Sequence, residues 1–192
     1  MKLIAYTLLD IDEHLAAGEA HRVVTLFGRC NSILKLMTEQ LSLLETMSPK
    51  EYQQIRLQLG NGSGQESPGF RVLQHMPEEL WRTYERRYLA GRTVRDVYDQ
   101  GYAHDDAYVV AEAMLSFDEA FQKFRTSHMQ LIFRSIGIGS KSLKGRPIEL
   151  LEAGLRHRFF PALWDVRAEM TDAWGAAYGQ VRESLAAKTA AE

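Results

Sequence analysis

Apolar residues recur at three- and four-residue intervals along most of the chain, and no stretch alternates with a period of two over a strand's length. Leu3, Ile4, Tyr6, Leu8, Ile11 and Leu15 predict a helix over 2–17, which Gly18 stops. A second helix is predicted over 19–47, with Val23, Leu26, Phe27, Ile33, Leu34, Met37, Leu41 and Leu44 on its inner side. A short glycine turn between the two favours an antiparallel pair. Ser48-Pro49-Lys50-Glu51 is a helix start: Ser48 can cap, Pro49 suits the first helical position, and Glu51 completes a capping box. Gly60 to Gly69 reads as a loop that folds back against the body. Pro77-Glu78-Glu79 then reads as the opening of a further helix that buries Leu80, Trp81, Tyr84 and Tyr88. After a turn at Gly101 to His104, a long helical pattern runs from Asp105 to Gly137. Pro147 is expected to begin a short helix to His157, and Pro161 the last one, rich in Leu163, Trp164, Val166, Met170, Trp174 and Tyr178. The expected fold class is all-α, a helical bundle in one domain over 1–192 with a frayed tail from Ala186 to Glu192.

Composition narrows the function classes. At 192 residues the chain can bury a substantial core. Its 23 basic and 25 acidic side chains give no general attraction to nucleic acid or to an anionic membrane. Arg82, Arg86, Arg87, Arg92 and Arg95 are interleaved with Glu78, Glu79, Glu85, Asp96 and Asp99, the pattern of a solvated face. No apolar run approaches a membrane span, and Asp10, Asp12 and Glu13 interrupt the apolar start before it resembles a signal peptide. A single cysteine, Cys30, excludes an internal disulfide and suits a reducing compartment. The expectation is a soluble cytoplasmic protein that binds neither nucleic acid nor membrane.

Most familiar chemistries fail on spacing. The glycine-rich loop lacks a Gly-Lys-Ser/Thr ending and follows a helix, so it is not a nucleotide loop. His14, His21, His75, His104, His128, His157 and Cys30 show no paired zinc-ligand spacing. Cys30 falls on the apolar side of its helix and reads as a buried structural thiol. Serine-hydrolase elbows are absent, and paired carboxylates occur only as ordinary helix-surface acids. His157, between Arg156 and Arg158, reads as a surface or interface residue. His128 stands apart. On a helix it shares a face with Phe117, Phe121 and Phe124 behind it and with Leu131 and Ile132 ahead. Spacing leaves two readings open: a hydrogen-bonded core histidine, or an axial ligand to a flat apolar cofactor such as haem.

Three blocks carry a resemblance that bears on this choice. Leu43-Leu44-Glu45-Thr46-Met47-Ser48-Pro49-Lys50-Glu51-Tyr52 enters a capped helix, and Ser63-Gly64-Gln65-Glu66-Ser67-Pro68-Gly69-Phe70-Arg71 is similar to an SGFQSxQFR loop. Arg125 to Gly137, with His128, Arg134 and Ile136-Gly137, is followed at fitting spacing by Phe159-Phe160-Pro161-Ala162-Leu163-Trp164-Asp165-Val166-Arg167. In this order the blocks resemble the tryptophan 2,3-dioxygenase family of helical haem enzymes. The resemblance implies haem b as cofactor, with His128 as the axial ligand to its iron and the opposite side open to dioxygen. It also implies that Arg71 takes the carboxylate of a small aromatic substrate, whose C2–C3 indole bond receives both oxygen atoms. No separate catalytic side chain is implied, and a homo-oligomer, a tetramer, is expected.

The chain departs from the family pattern in two places. Lys141-Ser142-Leu143-Lys144-Gly145-Arg146-Pro147 stands where the family has a GTGGSSG-type loop, with Ser142 at the position of a threonine that helps hold the substrate ammonium. Gln65 and Glu66 replace two positions of the Ser-Gly loop. Two alternatives therefore stay open beside tryptophan dioxygenation: a haem-dependent hydroxylase acting on tyrosine or a similar ring, and a non-catalytic helical haem-binding protein. The resemblance is in register by Lys2, so a further expectation is that Met1 does not start the complete functional unit and that a distal wall precedes it.

Overall fold

A computed structural model describes residues 1–58, 68–140 and 154–174, the last of these, Trp174, by its backbone alone. The elements are α1 (Lys2–Ala17), α2 (Ala20–Leu44), α3 (Pro49–Gln58), α4 (Pro68–Tyr84) with a π-helical turn Glu85–Leu89 continuing it, α5 (Val94–Tyr98), α6 (Asp106–Ile136) and α7 (Pro161–Trp174). Among the described residues every element is helical and none is a strand. The fold is all-α.

The periodic apolar stripes become the core. Ile4, Leu8, Ile11 and Leu15 of α1 are fully buried, as are Val23, Phe27, Cys30 and Leu34 of α2 and Val110, Met114, Phe117 and Phe121 of α6. The α2–α6 packing is the most extensive between any two elements, and the Phe27 and Phe117 rings lie 5.6 Å apart within it. Between α1 and α2 the chain reverses at Gly18, whose φ of 78° is left-handed and ends α1 with its amide donated to the Leu15 carbonyl at 3.1 Å. The capping box at α3 forms as expected. Ser48 donates to Glu51 Oε2 through its N–H and its hydroxyl, each at 2.8 Å, which lowers the Glu51 pKa, and Glu51 N–H donates back to Ser48 Oγ at 3.3 Å.

Three expectations need correction. Pro77 does not open a helix; it sits buried inside α4, which begins at Pro68. Leu73, Pro77, Leu80 and Tyr84 share one face, and burying that face outweighs the amide bond a proline cannot make. The helix-breaking preference loses to tertiary packing. The inner side of α2 is also covered less fully than expected: Ile33, Met37 and Leu41 are half-buried and Leu44 is 42% exposed. Finally α5 went unanticipated, although Thr93 and Asp96 form a full capping box, with Asp96 N–H to Thr93 Oγ1 at 3.1 Å and Thr93 N–H to Asp96 Oδ2 at 2.8 Å. The expected start at Pro147, the body of the glycine-rich loop and the C-terminal tail lie outside the described residues. The end of that loop is described: Pro68 and Gly69 begin α4, and Gly69 packs against the backbone of Met1 and Lys2.

Candidate functional site

The middle of α6 presents a polar ladder on its buried side. Asp118, which the sequence reading did not single out, is fully buried. Its Oδ2 accepts the Phe159 amide at 3.0 Å, the Phe160 amide at 3.3 Å and the Trp164 indole N–H at 2.9 Å. Those amides immediately precede Pro161, the first residue of α7, so the carboxylate faces the electropositive start of that helix. Its other oxygen, Oδ1, has no hydrogen-bond partner among the described residues. One turn on, Gln122 donates to the His157 carbonyl, and Arg125 Nη1 donates to the carbonyls of Gly154 at 2.9 Å and His157 at 3.2 Å. The Arg125 guanidinium lies 4.5 Å from the Phe121 ring centroid and 5.2 Å from that of Phe159. Burial lowers the Arg125 pKa and nearby Asp118 opposes the shift; a guanidinium stays charged regardless.

The sequence did hold one signal for Asp118. Position 118 comes four residues after Met114 and three before Phe121, on the apolar stripe of the helix, where an acid needs donors brought to it. Those donors come from residues more than forty positions away, which periodicity alone does not pair. A second polar junction ties α5 and α7 to α6. Tyr98 donates to Glu112 at 2.5 Å, Arg167 pairs with the same carboxylate, and the Arg167 guanidinium lies 4.9 Å from the Tyr98 ring centroid.

His128 lies one turn past Arg125. It is not a hydrogen-bonded core residue: its side chain is exposed and has no hydrogen-bond partner among the described residues. The ring lies parallel to that of Phe124, with a 5° interplanar angle and centroids 6.1 Å apart. Of the stripe expected around it, Phe117, Phe121 and Leu131 are buried, while Phe124 and Ile132 are half-buried. Burial by surrounding protein nevertheless lowers the His128 pKa. The shift favours the neutral imidazole, whose unprotonated ring nitrogen carries a lone pair.

The other expected site residues are placed less fully. Arg71 lies in the first turn of α4, exposed and without an ion-pair partner among the described residues. Its neighbour Phe70 approaches the α6 wall, with its ring centroid 6.4 Å from that of Phe121. The start of α4 and the aromatic stretch leading to His128 are thus connected, though no direct contact joins Arg71 to His128. Ser142 lies outside the described residues. Cys30 is buried as expected, and burial pushes its thiol up to about 12. His157 is exposed, and its ring meets Phe159 edge-on at 5.9 Å.

The all-helical body thus sets the His128 imidazole beside the Phe121–Phe124 row of α6. Comparison with known proteins adds the following. The family model described as tryptophan 2,3-dioxygenase matches residues 3–88. The tryptophan 2,3-dioxygenase of Myxococcus xanthus (strain DK1622) is 28% identical over 89% of this chain and 76% of its own length. Those of Xanthomonas campestris pv. campestris (strain B100) and Xanthomonas oryzae pv. oryzae (strain PXO99A) are 24% and 26% identical, each over 88% of this chain and 74% of their own length. Along most of its length the chain is thus similar to tryptophan 2,3-dioxygenases. The family model's match ends before α6, but alignments covering nearly nine-tenths of the chain necessarily reach His128. No helix among the described residues is long and apolar enough to cross a membrane.

Proposed function

We propose that this protein is a haem-dependent oxygenase acting on tryptophan or a related indole or aromatic amino acid, with His128 as the axial ligand. The observation that carries the reading is the setting of that imidazole: solvent-reachable, without a hydrogen bond to a described residue, and parallel to Phe124, with burial favouring its neutral form. These properties fit an axial ligand, which needs a free lone pair and a fixed ring plane. When bound, haem supplies the dioxygen chemistry that no side chain provides, here the insertion of both oxygen atoms across the indole C2–C3 bond.

The protein's own tasks are orientation and exclusion of water. Phe121 and Phe124 offer an apolar wall beside His128. Arg71 is proposed to bind the substrate carboxylate, since a planar guanidinium fixes both charge and orientation through paired N–H donors. Ser142 is proposed, on the family likeness alone, to lie near the substrate ammonium. Assembly into a homo-oligomer, with four copies as the family expectation, is part of the same reading. Leu3, Tyr6 and Leu9 support it, being 58%, 68% and 45% exposed along one side of α1, where a second copy would cover them.

The test is His128→Ala. The variant is expected to keep its helical dichroism and to lose the sharp haem absorption band, or to recover it only with added imidazole. An unchanged haem spectrum would place the ligand elsewhere. Product analysis with tryptophan and tyrosine then separates ring cleavage from hydroxylation, and absence of any product would leave haem binding as the function.

A further inference from the structure

We infer that Asp118 is a positioning residue for the His128 site: it seats Phe159, and Phe159 braces the aromatic row that holds the imidazole plane. Its functional meaning rests on the ligand reading of His128, while the coupling itself is a property of the chain. The row can be followed ring by ring. Asp118 Oδ2 gathers the two amides ahead of α7 and the Trp164 indole N–H. The Phe159 ring so placed stacks on Phe117 at 5.8 Å and 13°, and packs on Phe121 at 4.9 Å. Phe121 meets Phe124 at 6.2 Å, and Phe124 lies parallel to His128. Arg125 covers Phe121 and Phe159 together and pins the carbonyls of Gly154 and His157.

A carboxylate is needed at position 118 for a specific reason. An apolar residue there would leave two buried backbone amides, and the indole N–H of half-buried Trp164, without this acceptor, and one oxygen collecting three donors fixes direction as well as distance. Asparagine can present an oxygen to the same donors but without the charge that strengthens them. Close-packed rings pass a displacement on, because an interior at crystal-like density cannot absorb it locally. The effect of Asp118 at His128 is therefore one of orientation, exerted from ten residues away on the same helix.

The decisive experiment reads the ring carbon–proton resonances of His128 by NMR in haem-free protein at one fixed pH, assigned with His128→Gln. In Asp118→Ala these resonances are expected to shift and broaden, while those of the exposed His21 and His75 stay in place and the helical dichroism is kept. Asp118→Asn should restore most of the original position. A folded Asp118→Ala whose His128 resonances do not move overturns the inference. Should that variant fail to fold, Trp164→Phe removes one donor of the three. It is expected to move His128 less but in the same direction, and a stationary His128 there is equally fatal. Loading with haem adds an independent readout: Asp118→Ala should make the ferric paramagnetic resonance spectrum heterogeneous. If the unmodified protein binds no haem, the ligand reading fails while the coupling is still judged by the haem-free resonances.

Discussion

The carboxylate of Asp105 accepts the Tyr108 amide at 3.0 Å through one oxygen and the Arg92 guanidinium at 2.7 Å through the other. Burial alone would raise its pKa; the amide, Arg92 and Gln100 together outweigh burial and hold the carboxyl below its usual value. The folded-state pKa is thus depressed relative to the unfolded chain. Its stabilising contribution is present above the unfolded value of about 3.9 and is lost as pH falls through the folded value. Asp105→Ala should cost about 1 kcal/mol at neutral pH, the usual worth of an N-cap. The Arg92 pair adds little, being substantially exposed. In urea titrations the gap between variant and parent should narrow steadily below about pH 4; a gap independent of pH would mean that the charge contributes nothing. Arg71 is the residue-scale test of substrate binding. Arg71→Ala should weaken an amino-acid substrate at least tenfold, since removing a charge-assisted pair in a closed site costs about 2–5 kcal/mol. Equal affinity of the parent protein for the amino acid and its decarboxylated amine would remove that role.

At the scale of elements, the sequence was read well wherever local chemistry decides and poorly wherever distant contacts do. The Ser48–Glu51 box, the Gly18 reversal and the α6 span followed from neighbours along the chain. Pro77 did not, because the packing of Leu73, Leu80 and Tyr84 on α1 and the core outweighs what a proline does to an isolated helix. The side of α6 that carries His128 was legible from spacing. Its exposure was not, since that depends on where other helices stop covering it, and Asp118 was missed because its donors come from the far end of the chain. The α1–α4 junction gives an element-scale prediction. A Cβ built at Gly69 would lie 2.9 Å from the Lys2 nitrogen and 3.0 Å from the Met1 carbonyl carbon, both backbone atoms that cannot swing aside. Gly69→Ala should therefore destabilise the fold by about 1–3 kcal/mol, as overpacking does. A thermal midpoint equal to or above the parent's would show that α4 can slide past the start of α1 without cost.

For the whole molecule, Cys30 offers a built-in probe of how cooperatively the bundle opens. It is the only cysteine, fully buried near the middle of α2 between Phe27 and Leu34, on the helix that packs most extensively on α6. Burial pushes its thiol up to about 12, so at pH 8 almost none is thiolate in the folded state, whereas an unfolded cysteine, with a pKa near 8.5, is substantially ionised. Alkylation by iodoacetamide must then proceed through opening, and its rate reports the free energy of that opening. Because Cys30 lies in the core on a helix packed against both α6 and α1, the opening is expected to be global. Labelling should be orders of magnitude slower than for a free thiol, and its urea dependence should match the equilibrium unfolding slope. Asp105→Ala and Gly69→Ala lie on other helices, yet each should accelerate labelling, by about fivefold per kcal/mol it removes. Rapid labelling that ignores urea and both variants would mean that α2 opens by itself, and that the core running through α1, α4 and α6 holds without it.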